Sequence, residues 1–434
     1  MSRPRMVASP TRDPWVFTSF VFPFANFFQP GIFWPQIADY RPLQIIAIVS
    51  LLASLGSKAT YDRVDALRHP AAKWLLFFLF LQPLSTYRTG LYGMFQEFNF
   101  WLTYVLFVLV SLRVIDSPQA LRRYIWGMMC GSAWIVVWGI YAVFAGLEEL
   151  TNGGRAGAYG MYENHNDYSF IIVQTLPFYF IYWRTEKGFL RRTFLGLAVL
   201  ASVLGIFMSL SRGGMMALVL QAALIVMFTT TKRTRLILLP LVCAMGMAAI
   251  SYQYIKRAQN QGDSYTAEDA ESSRWELWQA GFNMIKEHPL LGVGSRSFGE
   301  NSTSYGEISH DNLGKNAHNT FIEAAATTGL IGLLALVKML LVTLTELRRK
   351  ITVEATAWEL DTRKATLIAI YTIIFRSLFD AKSWDWSYYV LITIAMASTA
   401  MLKNRAAIAQ GAQDAQPEAA AAPLKEVPWS NKLP

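Results

Sequence analysis

Charge is scarce in this 434-residue sequence: 16% of residues are Asp, Glu, Lys or Arg, against 53% hydrophobic. With a mean hydropathy of +0.28, the composition is that of an integral membrane protein and leaves no room for a large soluble domain. Cysteine is nearly missing. Cys130 and Cys243 both fall in apolar segments, which excludes a disulfide framework and reads as reduced packing residues. There is no HExxH, no CxxC and no dense carboxylate cluster, so no metal and no cofactor is expected. The weak metal alternative would gather His310, Asp311 and His318. Residues 1–13 are polar and basic, and no small-residue cleavage site follows the first apolar run. A cleaved signal peptide is therefore not expected, and the first helix reads as a retained anchor. No internal repeat is visible. The net charge of +9 does not point to nucleic acid, because the placement of the basic residues explains it.

Twelve apolar segments can be read, at about 14–34, 42–57, 72–87, 97–112, 124–146, 168–183, 193–210, 213–230, 235–254, 319–343, 365–380 and 386–402. The first and third are rich in aromatics and proline and are expected to be kinked. With a cytoplasmic N-terminus, the inner connections carry most of the 39 Lys and Arg, for example Arg113, Arg122 and Arg123, or Arg184, Lys187, Arg191 and Arg192. The short outer connections carry few. This positive-inside pattern puts both termini in the cytoplasm. The chain divides into helices one to nine over 1–254, an outer loop over 255–317, helices ten to twelve over 318–404, and a disordered cytoplasmic tail over 405–434.

One run breaks its own pattern. Phe194 to Phe228 is FLGLAVLASVLGIFMSLSRGGMMALVLQAALIVMF, about 35 residues or roughly 52 Å as one helix, against a ~30 Å hydrocarbon core. Basic clusters flank both ends, so the run is expected to be two helices meeting at Ser211-Arg212-Gly213-Gly214. Arg212 then lies at the tip, on the outer face near the headgroup plane. An arginine there marks a functional site by default, here one that holds an anion carried by a lipid. A plain interfacial anchor is the other reading.

The outer loop contains SSRWELWQAGFNMIKEHP, in which Trp275, Trp278, Phe282 and Ile285 recur at helical spacing. This predicts an amphipathic helix lying on the membrane surface, capped by Ser272 or Ser273 and ended by Pro289. Arg274 precedes the tryptophans, and a solvated helix face is its blander reading. His318, in KNAHNTFIEAAATTGLIG, stands where a polar loop enters an apolar helix. It is either a proton acceptor at an outward-facing cleft or a helix-start residue satisfying backbone N–H groups. Asn164, His165 and Asn166, before the sixth segment, offer amides for a sugar or phosphate, or simply cap the loop.

SRGG at the outer end of a helix, then RWxxW followed by HPLLGVGSRSF, then AHNTFIEAAATTGLIG together resemble the O-antigen ligase superfamily of ligases, polymerases and protein O-oligosaccharyltransferases. The resemblance implies an all-α membrane glycosyltransferase of the GT-C type in the bacterial inner membrane. Such an enzyme takes a glycan from undecaprenyl pyrophosphate at the periplasmic face and passes it, with inversion, to a hydroxyl. For a ligase that hydroxyl belongs to lipid A–core. It further implies catalytic roles for Arg212, Arg274 and His318, and substrate contacts from Arg212, Arg274, Asn164, Asn166, Asn319, Trp275 and Trp278. Membrane lipids complete the set of partners. Where family members often carry Asn-Pro-Asn, this chain has Asn164-His165-Asn166, which leaves the role of His165 open. A twelve-helix secondary transporter is the competing class, but transporters usually show two related halves with the major connection at the centre.

Overall fold

The structure is a computed structural model describing residues 17–56, 66–147, 154–261, 267–351, 353–383 and 385–414. Further basic residues of the inner connections, at 3, 5, 12, 58, 63, 425 and 432, and most of the expected tail lie outside the described residues. Among the described residues the chain is helical throughout. In order the helices are α1 (Thr18–Phe28), α2 (Pro30–Phe33), α3 (Pro42–Gly56), α4 (Pro70–Ser85), α5 (Gly90–Val114), α6 (Pro118–Phe144), α7 (His165–Thr185) and α8 (Phe189–Ser209). They continue as α9 (Arg212–Thr229), α10 (Lys232–Gln261), α11 (Ala267–Glu287), α12 (Phe298–Tyr305), α13 (Thr320–Arg348), α14 (Ala357–Arg376) and α15 (Trp386–Asp414). Each of the twelve apolar segments coincides with one of them. Among the described residues, six stretches are long and apolar enough to cross a membrane by length and composition.

Local chemistry sets the boundaries. Proline opens α3, α4 and α6, where its missing N–H costs nothing. Ser117 caps α6 by accepting from the Ala120 amide at 3.2 Å. Thr356 and Glu359 form a reciprocal capping box on α14.

Contacts at the helix ends sort them into two levels. At one, Arg113 donates to the Ser54 carbonyl, Arg122 pairs with Glu186 at 3.2 Å, and Lys403 pairs with Glu346 at 2.6 Å. His69 and the Thr399 hydroxyl meet there at 2.9 Å. The other level holds the ends of α4, α8 and α14 and the starts of α7, α9, α13 and α15, together with α11. The first level is the basic one.

α7 is buried along most of its length, packed against α8, α14, α6 and α9, with α15 against α14. These central helices carry polar side chains that bond one another: Gln174 Nε2 to Ser387 Oγ at 3.0 Å, Tyr182 OH to Thr362 Oγ1 at 2.7 Å, and Gln221 Nε2 to the Val173 carbonyl at 2.7 Å. Shielded from lipid by their neighbours, they need not be as hydrophobic as the peripheral α8 and α10.

Three expectations change in detail. α10 runs on to Gln261, and the stretch after it is mostly helical rather than loop. α11 begins at Ala267, so Ser272 and Ser273 lie inside it and do not cap it. α15 continues to Asp414, so the tail expected to be disordered from 405 is helical for its first ten residues.

Candidate active site

His318 is held by everything around it. Its backbone is left-handed, at φ 48°, a conformation that costs a non-glycine residue about 1–2 kcal/mol and persists only where neighbours enforce it. The enforcers are visible. The Ala317 amide donates to Glu323 Oε2 at 2.8 Å, and the Ala317 carbonyl accepts from Trp278 Nε1 at 2.9 Å. On the other side, Asn319 caps α13: its Oδ1 accepts from the Phe321 and Ile322 amides at 3.0 and 3.1 Å, and its Nδ2 donates to the Leu378 carbonyl. Asn319 is thus the helix-start residue, and the His318 imidazole is left without a hydrogen-bond partner among the described residues. Burial pushes its pKa down to about 4, and Arg274 and Lys315 push the same way. The ring is neutral at physiological pH and available as a proton acceptor.

The break predicted in the 194–228 run is present. Leu210 ends α8 in the left-handed conformation, and Ser211 caps α9 by accepting from the Gly214 amide at 3.2 Å. Ser211 Oγ donates to Asn166 Oδ1 at 2.8 Å. Arg212, partly exposed, has no hydrogen-bond or ion-pair partner among the described residues. Gly213 lies so close to the guanidinium of Arg376 that a methyl group there would overlap it. Arg376, 2% exposed, donates to the Asn166 carbonyl and to Ser169 Oγ, each at 3.0 Å, and pairs with Asp380 at 3.4 Å. Asp380 leads back to the histidine, because its carbonyl accepts from Thr320 Oγ1 at 2.6 Å. Burial pushes the Asp380 carboxyl up, while Arg376 pulls it down; Arg274 adds to that pull, so it faces both Asp380 and His318. Lys382, also buried, pairs with Asp167. One continuous set of contacts therefore joins Ser211-Arg212, Asn166, Arg376, Asp380, Thr320 and His318, with Arg274 beside the last.

The other sites read from the sequence fall as follows. Asn164 is a cap: its Oδ1 accepts from the Asn166 amide at 2.8 Å. His165 opens α7 next to it. Trp275 is 54% exposed, and Trp278 reaches the Ala317 carbonyl. The face that α11 buries is Leu277, Ala280, Gly281 and Met284, not the predicted stripe, and Phe282 points outward. Trp275 and Phe282 of the stripe are exposed and Ile285 packs against the buried cluster, so the stripe and the protein-facing side are different faces of one helix. His310 and Asp311 are exposed, and among the described residues no group of three His, Cys, Asp or Glu is placed to hold a metal ion.

Arg376, Asp380 and Lys382 escaped the sequence reading. The signal was available: an arginine inside the eleventh apolar segment, with an acid four residues on.

A glycine lock supports the site. α13 breaks at Gly329, with φ 70° and ψ −179°, a region open essentially to glycine alone. The freed groups bond the segment after α11: the Val293 amide to the Ala326 carbonyl at 2.9 Å, Gly294 to Thr327 at 3.0 Å, and Leu330 to the Pro289 carbonyl at 2.8 Å. Gly292, at φ 69°, faces the Ala326 and Thr327 backbone just as closely. The motifs HPLLGVG and ATTGLIG are the two halves of one joint.

Residues 197–337, which span Arg212, Arg274, His318 and both halves of the lock, match the family model described as O-antigen ligase. The exopolysaccharide production protein ExoQ of Rhizobium meliloti (strain 1021) is 26% identical over 341 residues, covering 75% of this chain and 73% of its own. Over residues 197–337 the chain is thus similar to the O-antigen ligase family, the same family its motifs resemble.

Proposed function

We propose that this protein is a membrane glycosyltransferase that moves a glycan from a polyprenyl pyrophosphate to an acceptor hydroxyl, without a metal, at the outer face of a bacterial inner membrane. The observation that carries the reading is the His318 imidazole: neutral, without a protein partner, and fixed beside Arg274. The acceptor hydroxyl loses its proton to that imidazole as its oxygen bonds the anomeric carbon. The bond from that carbon to pyrophosphate breaks on the opposite side, so configuration inverts. The departing charge is taken up by Arg274 and Arg212, whose planar forks suit phosphate oxygens. Asn166 and Arg376 position the Arg212 turn, and Asn319 and Glu323 position His318.

The fold we favour is of the GT-C type with twelve crossings: α1 and α3 to α10 before the outer segment, α13 to α15 after it. The basic level of helix ends supports a cytoplasmic placement for that side and for both termini. A ligase acting on lipid A–core, with undecaprenyl as the carrier, is the first reading. The name of the relative ExoQ, exopolysaccharide production, favours polymerisation as the second.

The test is transfer from a polyprenyl-pyrophosphate glycan in proteoliposomes. His318→Ala is expected to lower the rate by about 10²–10⁴-fold with insertion unchanged. Undiminished transfer by that variant would remove the mechanism. Deletion of the gene separates the acceptors. Lipopolysaccharide without its long glycan, with lipid-linked polymer accumulating, marks a ligase; loss of the polymer itself marks a polymerase.

A further inference from the structure

A second cationic centre stands at the same level, away from His318. Arg88 occupies the turn Tyr87–Thr89 between α4 and α5. Its Nη1 lies 2.7 Å from His288 Nε2, which lies 2.7 Å from the Tyr305 hydroxyl. An imidazole carries no negative charge in either protonation state and cannot balance the guanidinium. Arg88 is exposed; three other cations at this level have a carboxylate, Arg296 with Glu97, Arg376 with Asp380 and Lys382 with Asp167. Arg88 has none within 4 Å among the described residues, and its remaining N–H groups have no partner there.

Below Arg88 the α4–α5 pair opens into an apolar groove of about 430 Å³, lined by Phe77, Phe80, Pro83, Phe98, Trp101 and Leu102. Phe77, Phe80 and Phe98 of its lining are exposed, as are Leu91 and Phe95 nearer the turn on α5. Trp101, also in the lining, donates from Nε1 to Ser295 Oγ at 2.9 Å. A fixed, unbalanced cation above a groove that opens to lipid is complementary to one kind of molecule: an apolar chain ending in a phosphate.

We infer that the Arg88–His288 centre and the α4–α5 groove seat a second phosphate-bearing lipid, the carrier of the acceptor. This rests on the glycosyl-transfer reading and deepens it. Arg274 lies within α11 and His288 just past its C-terminal end, 14 residues or about 21 Å apart. A donor pyrophosphate at Arg274 and an acceptor phosphate at Arg88 are thus separated by the length of a few linked sugars. An acceptor glycan anchored at Arg88 can extend along α11 to place its terminal hydroxyl at His318. A protein acceptor would need no such seat.

The experiment compares the full chain with Arg88→Gln and with Leu102→Trp, which fills the groove. Transfer is measured to a phosphorylated lipid-linked acceptor and to the same glycan without its lipid. For the lipid-linked acceptor, KM is expected to rise about tenfold or more in each variant, the loss of one charge-assisted contact, with kcat and the donor KM unchanged. For the lipid-free glycan, no change is expected. A rise in donor KM instead, or an unchanged acceptor KM, overturns the assignment. A second arm is independent of turnover. Native mass spectrometry with phosphatidic acid and with diacylglycerol should show a phosphate-dependent lipid retained by the wild type and lost in Arg88→Gln. Equal retention by both proteins overturns the seat even if transfer is never observed. Retention lost with no transfer by the wild type from any donor sinks the glycosyl-transfer reading, and the acceptor role with it.

Discussion

At the scale of the residue, the protein separates cations that are used internally from cations that are offered. Arg376 and Lys382 are buried against Asp380 and Asp167, whereas Arg212 and Arg88 have no carboxylate partner among the described residues. The sequence revealed Arg212 because it interrupts a hydrophobic run. Arg376 interrupts another, but it sits near a segment's edge among serines and aromatics, so its cost to the helix was not obvious. Roles of single polar atoms were least legible. Asn319 and His318 are neighbours in sequence, and only the fold decides that the first caps the helix and the second is left open. The state of His318 has a definite pH signature. With the ring at about 4 in the folded protein against 6.5 in a free chain, the rate should be flat in His318 protonation from about pH 5.5 to 8 and fall only as pH approaches 4. An inflection near 6.5 would mean that burial does not depress the imidazole. The linked stability runs the same way. Between pH 6.5 and 4 the unfolded chain binds a proton that the folded chain refuses, so thermal stability in detergent should decline over that window. It should decline less in His318→Gln. Gly213→Ala should displace Arg376 and cost about 1–3 kcal/mol of stability, together with transfer; normal melting and turnover would show that the contact is dispensable.

At the scale of the element, helix existence was written clearly and helix breaks only in part. The break at Leu210–Ser211 follows from length, since no bilayer accommodates about 52 Å of apolar helix. The break at Gly329 did not show, because ATTGLIG is a good apolar continuation and one glycine is tolerated in a helix. Its cause is non-local: a strand of backbone, Pro289–Gly294, bonds the groups the kink exposes. Straight, α13 would be about 43 Å long; from Leu330 to Arg348 it is about 28 Å, which matches the hydrocarbon thickness. Gly329→Ala should therefore be severe. It combines a left-handed φ with overlap on the Leu290 carbonyl, and a loss of at least about 1–3 kcal/mol is expected. A melting temperature equal to wild type would show that the joint relaxes freely. The protein-facing side of α11 was left unread for a related reason. A helix between lipid and protein has two apolar sides, and a moment cannot say which side meets the core.

At the scale of the whole molecule, the alternation of helix ends between two levels gives a topology that labelling can check. Native cysteines are only Cys130 and Cys243, so a cysteine-free background needs two substitutions. In intact cells, Asp311→Cys should react with an impermeant maleimide and Lys187→Cys should not. The reverse pattern would put His318 on the cytoplasmic side and end the proposed function. The general architecture was legible because hydropathy and basic residues are summed over many positions. The assembly of the site was not, because it joins residues from α7, α9, α11, α13 and the turn after α14.

The joint between Pro289–Gly294 and Gly329 bears on how such a molecule can work at all. Three main-chain hydrogen bonds stitch the Pro289–Gly294 segment to α13, so the two move as one body and that segment is no hinged cover.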